Sequence, residues 1–108
     1  MNQEVAGLSK ALDVVRDKLI ATARTAPGFG EMRALYRELT AALIDAGDKA
    51  DAELRKEIAI VSKGIAEEWE SNKDKLSPWL DVLKPVVTAV GAILSAGRLT
   101  NPLLALLP

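Results

Sequence analysis

Glu67, Glu68 and Glu70 form a tight carboxylate cluster beside Trp69. On a helix, Glu67 and Glu70 share a face, and two carboxylates on one face could ligate a divalent cation. A dimetal centre in a helical bundle would also need Glu-x-x-His motifs on facing helices, and the chain has no His. A solvated acidic face is therefore the reading favoured by the spacing. Asp45, Asp48 and Asp51 recur every three residues, whereas an EF-hand loop needs alternate ligands and a closing Glu. Helix-end electrostatics account for Asp48 and Asp51 without a metal. Ser62 and Ser95 lack a recognisable activating base, and Lys84, beside an apolar segment, stands alone as a candidate for an altered proton affinity.

The absence of His and Cys excludes imidazole bases, catalytic triads, thiol nucleophiles, disulfides and most zinc sites. The expectation is a protein that is not an enzyme and has no cofactor and no metal.

Two further groupings could bind anions. Ala26-Pro27-Gly28-Phe29-Gly30 is a glycine-rich stretch ahead of a helix, which can cradle phosphate. Here no strand precedes it, no Lys-Ser/Thr follows it, and Phe29 separates the glycines, so it reads as a helix–helix connection. Arg33 and Arg37 lie one helical turn apart, but Glu31 and Glu38 flank them. Basic and acidic residues are interleaved, aromatics are few, and the net charge is −1. No nucleic-acid partner is expected.

The elements that would position these residues are helical. The chain has 108 residues, with 14 Lys/Arg and 15 Asp/Glu, and its 11.6 kDa suits one small domain. Area scaling lets about two thirds of the unfolded surface be buried. Val5, Leu8, Leu12, Val15 and Leu19 make a heptad seam, predicting a first helix over 3–25 with Asn2 as N-cap and an Asp13–Arg16 pair. Met32, Leu35, Leu39 and Leu43 predict a second over 31–46, with Tyr36 on its flank and Gly47 beyond its end. Leu54, Ile58, Val61, Ile65 and Trp69 predict a third, capped by Asp48 and reaching Lys73, with Asp51–Arg55 and Lys63–Glu67 pairs. Ile60 lies off that stripe and suggests a second contact face. The polar stretch 71–75 reads as a turn. Ser77-Pro78 then starts a fourth helix running to Ala96, kinked at Pro85 and ended by Gly97. Asn101-Pro102 begins a short Leu-rich terminal helix. The fold class is all-α, a small bundle of about four helices plus that tail.

Composition changes abruptly near Ser77. Residues 1–76 hold 12 Lys/Arg and 14 Asp/Glu, while residues 77–108 hold only Asp81, Lys84 and Arg98. The chain thus divides into an amphipathic three-helix region, 1–76, and an apolar region, 77–108. Pro85 to Gly97 is uncharged. Thr88, Ala92 and Ala96 form one small-residue row and Gly91 and Ser95 another, which permits close helix approach.

Four tail leucines left in water would each cost about 1.5–3 kcal/mol, and three amphipathic helices are expected to be too few to cover both the apolar helix and the tail. The favoured expectation is a structural or assembly protein, a helical subunit of a homo-oligomer or larger complex such as a virion. Its interface would be Val86, Val87, Val90, Gly91, Ala92, Ile93, Leu94, Leu103, Leu104, Leu106 and Leu107, and its partner itself or other subunits. The second reading is a membrane-associated or pore-forming protein that inserts residues 78–108 as a hairpin. No signal peptide is visible, so the expected location is the cytoplasm or an assembly, with the membrane as the alternative.

Overall fold

The heptad seam predicted for the first helix lies wholly in the core. In the computed structural model, which describes residues 3–47 and 49–107, α1 spans Gln3–Ala21 and buries Val5, Leu8, Ala11, Leu12, Val15 and Leu19. The helix stops four residues earlier than its periodicity predicts. Thr22 Oγ1 donates to Lys18 O at 2.7 Å and its N–H closes a tighter turn onto Leu19 O. Pro27 then removes a donor and restricts Ala26. The Asp13–Arg16 pair forms on the exposed side at 3.5 Å.

Helix α2 spans Phe29–Asp45 and buries Met32, Leu35, Leu39 and Ala42. Its N-cap is Gly28, in the left-handed region at φ 79°. Helix α3 spans Asp51–Ser71 with Ala50 as N-cap. The capping roles expected of Asn2 and Asp48 fall outside the described residues. The buried stripe of α3 runs through Leu54, Ile58, Ser62, Ile65 and Trp69. Ser62, not Val61, holds the central position, and Val61 is only partly buried. Among the described residues Asp51–Arg55 and Lys63–Glu67 do not appear as ion pairs. Arg55 instead donates to the Ile93 carbonyl.

The expected 71–75 turn is a hinge at a single residue. Asn72 (φ −126°) donates from Nδ2 to Glu68 O at 2.9 Å, and Ser71 Oγ donates to Glu67 O. These bonds satisfy the last carbonyls of α3. A helical turn, α4 (Lys73–Leu76), and a 3₁₀ turn (Ser77–Trp79) follow. Helix α5 therefore begins at Leu80 and reaches Ala96. Ser77 adopts helical dihedrals and its hydroxyl donates to Asp74 O, so it is not the N-cap expected from Ser-Pro. In 3₁₀ geometry residues three apart eclipse. This brings Leu76 and Trp79 to the same side, and both are buried. Helix α5 continues through Pro85, which faces solvent.

Helix α5 packs most extensively on α1 and also touches α3; α2 packs against α1 and α3. The terminal 3₁₀ helix, Pro102–Leu106, lies on α3 and touches α5. The radius of gyration is 13.1 Å, close to the ~13 Å expected of a compact chain this size. The apolar third is folded in rather than projecting.

Candidate functional site

The C-terminal third divides sharply between core and surface. Val86, Val87, Val90, Ile93, Leu94 and Leu103 are buried inside the chain's own core. Of the residues expected at an interface, these six are covered by the chain's own helices. Gly91, Leu106 and Leu107 are half-buried, and Ala92 and Leu104 face solvent, Leu104 at 61 %.

Three amphipathic helices cover α5 and Leu103, though not Leu104, because α3 packs on α2 and also on α5 and the terminal turn. Its Glu57, Val61 and Glu68 side lines grooves with α2. On the opposite flank Arg55, Ala59, Ser62 and Ala66 follow one another around the helix. The terminal turn packs on α3 as well.

Three contacts hold the end of α5 and the tail in place. Asn101 is buried and donates from Nδ2 to Val87 O at 3.1 Å, while its Oδ1 accepts from Leu103 N–H at 3.1 Å. The Asn-Pro signal thus gives the expected cap, and the same side chain also clips the turn onto α5. A Cβ at Gly91 would stand 3.1 Å from that Nδ2, so glycine leaves the space Asn101 occupies.

The second contact is Arg55, whose Nε donates to Ile93 O at 3.2 Å. A cation there suits the carbonyl end of α5. A Cβ at Gly97 would meet Arg55 Cδ at 2.7 Å.

The third is the helix end itself. Leu99 N–H bonds Leu94 O and Arg98 N–H bonds Ser95 O, the paired pattern of a Schellman motif. Its left-handed position is held by Arg98 at φ 60°, whereas Gly97 keeps a negative φ.

Outside this lock, the solvent face of α5 carries Asp81 and Lys84 near its start and is uncharged from Pro85 to Ala96. Pro85, Thr88, Ala92, Ser95 and Ala96 are all exposed. Thr88 Oγ1 donates to Lys84 O at 3.1 Å and Ser95 Oγ donates to Ala92 O at 3.4 Å. Both hydroxyls are thus satisfied by the helix and need no water. Gly91, pressed by Asn101, borders this row and brings the terminal turn alongside it. Leu99 and Leu104 add exposed apolar area.

No protein-family model matches this chain, and no curated protein or solved structure is significantly similar to it.

The other sequence candidates are dispersed. Glu70 pairs with Lys73 at 2.8 Å, and Glu67 and Glu68 line a shallow depression with Glu38 and Ser71. Among the described residues no three Asp or Glu side chains converge to hold a metal ion. Arg33 and Arg37 are exposed, as is Ile60. The Gly-Phe-Gly loop is a docking point. Trp79 Nε1 donates to Pro27 O at 2.8 Å, and the Phe29 and Trp79 rings meet edge to face at 6.4 Å. Sequence reading marked Pro27 as a break but did not single out Trp79, and nothing local links residues 52 apart.

Proposed function

We propose that this chain is a non-enzymatic structural or assembly protein, a helical subunit of a homo-oligomer or larger complex. Its contact surface is the outer face of α5 together with the exposed side of the terminal turn. The observation carrying this reading is the outward row from Pro85 to Ala96, which has no charge and keeps its hydroxyls bonded to its own helix. Interface centres are depleted of charge, and small residues let a second helix approach closely. The outer surfaces of α1, α2 and α3, by contrast, are rich in Lys, Arg, Asp and Glu. The first partner is a second copy of the chain.

The test is size-exclusion chromatography with light scattering on the full chain and on Ala92→Glu. An exposed alanine can be replaced without disturbing the core, so the variant should keep its helical circular dichroism. An oligomer that falls to monomer in Ala92→Glu is the expected result. A wild-type chain that stays monomeric up to millimolar concentration would defeat a self-assembling subunit.

Membrane association is the second reading, and one observation favours it. Lys73–Ala96 forms a run of 24 helical residues with a mean hydropathy of 1.5 in its most apolar window, long and apolar enough to cross a bilayer by length and composition. The share of that window buried in the bundle is 44 %, so insertion would require α5 to leave α1. Flotation of the full chain with anionic vesicles would show it, and a chain left wholly in the aqueous fraction would end it.

A further inference from the structure

A cavity of about 540 Å³ opens between α1, α2 and the start of α3. Val5, Ser9 and Asp13 line one wall at i, i+4, i+8 spacing. Tyr36, Thr40 and Ile44 line the other with the same spacing. The N-terminal half of α1 thus faces the C-terminal half of α2, so the two helices run in opposite directions. The floor is leucine from all three helices. The space persists because the middle residue of each row is small. Where Ser9 and Thr40 stand, two larger apolar residues would interdigitate and close it.

Thr40 is the anomaly in this wall. A helical Ser or Thr commonly donates to the carbonyl four residues back. Thr22, Ser71 and Thr88 all do so in this chain. Thr40 Oγ1 is buried and has no hydrogen-bond partner. An unused buried hydroxyl beside an apolar floor can serve as a polar anchor.

The rim selects the charge of that ligand. Asp13 and Asp51 stand on it, and its one lysine, Lys49, is drawn to Glu57 at 3.7 Å. Asp13 also meets Arg16 at 3.5 Å, but that pair is solvent-exposed and correspondingly weak. A carboxylate head would meet like charge here, whereas an ammonium head would not. We propose that this cavity is a binding site for a small cationic amphiphile. Its apolar chain would lie on the leucine floor, its ammonium group between Asp13 and Asp51, and Thr40 would serve as a supplementary hydrogen-bonding group.

The test is a ¹H–¹⁵N NMR titration of the full chain with octylammonium chloride and, separately, sodium octanoate, both below their micellar concentrations. The expected result is saturable shifts confined to the N-terminal half of α1, the C-terminal half of α2 and the start of α3. Octanoate should bind at least tenfold more weakly. Asp13→Asn, at an exposed position, should reduce the preference for ammonium severalfold. Ser9→Leu, which fills the space, should abolish saturable binding of both probes. Equal affinity for the two probes would overturn the proposal, as would shifts centred on α5 or no saturable shift. None of these outcomes depends on whether the chain self-assembles.

Discussion

Replacing Gly28 by Ala should destabilise the fold far more than its position in a short helix–helix connection suggests. Two costs add. Gly28 has φ 79°, and an L side chain in the left-handed region costs roughly 1–2 kcal/mol. Its Cβ would also lie 2.6 Å from Lys75 O and 3.0 Å from Trp79 Nε1. The nearer atom is backbone, so α4 or the loop must move, at an overpacking cost of about 1–3 kcal/mol. The sum, roughly 2–5 kcal/mol, is a large part of the 5–15 kcal/mol that holds a typical domain together. At ~4–8 °C per kcal/mol for a domain of this size, the melting temperature should fall by at least about 8 °C. Thermal unfolding followed at 222 nm measures it. Gly30→Ala is the matched control. Nothing lies within 4 Å of a Cβ there, and the residue is in α2, so stability should stay level or rise by up to about 1 kcal/mol. Gly28→Asn separates the two costs, because Asn tolerates the left-handed region but still carries a Cβ. If Gly28→Ala melts within 2 °C of the parent, or Gly30→Ala falls as far, the reasoning about this loop is wrong.

Ser62 is 0 % exposed and its Oγ has no partner, so Ser62→Ala should raise stability by about 1 kcal/mol in urea unfolding. A loss of that size would mean the hydroxyl is bonded. Arg98→Gly should add roughly 1 kcal/mol by relieving the left-handed strain at φ 60°; an unchanged urea midpoint would count against strain there. Asn101→Ala removes both the cap and the bond to Val87 O, and should cost about 1–3 kcal/mol. Hydrogen exchange at the Leu103 amide should quicken with it, and an exchange rate unchanged from the parent would show that the clip does not hold the turn.

The seam Val5–Leu8–Leu12–Val15–Leu19 was fully legible in the sequence, because a helix buries one stripe and a 3.6-residue repeat writes that stripe directly. The all-α class followed from the same patterning, as did the Asn101 cap and the composition break at Ser77. Errors arose where two signals of equal local strength competed. Val61 and Ser62 both fit the α3 stripe, and hydrophobicity favoured Val61. The structure instead places Ser62 inside and leaves Val61 partly buried. Ser77-Pro78 has the chemistry of a helix start, but burial of Leu76 and Trp79 three residues apart drew the segment into a 3₁₀ turn.

The candidate contact surface was only partly readable for a related reason. Charge depletion marked residues 77–108 as a unit, yet burial within that unit depends on what faces each residue. Val86, Val87 and Val90 carry the same side chain type wherever they sit. Only the position of α1 beside α5 makes them core and leaves Thr88 and Ala92 outside. Likewise no local rule joins Trp79 to Pro27, Arg55 to Ile93 or Asn101 to Val87. Sequence determined which segments are helical and which faces are apolar, because those depend on neighbours a few residues away. Tertiary structure decided which apolar face is core and which stays exposed, because that depends on helices brought together from distant parts of the chain.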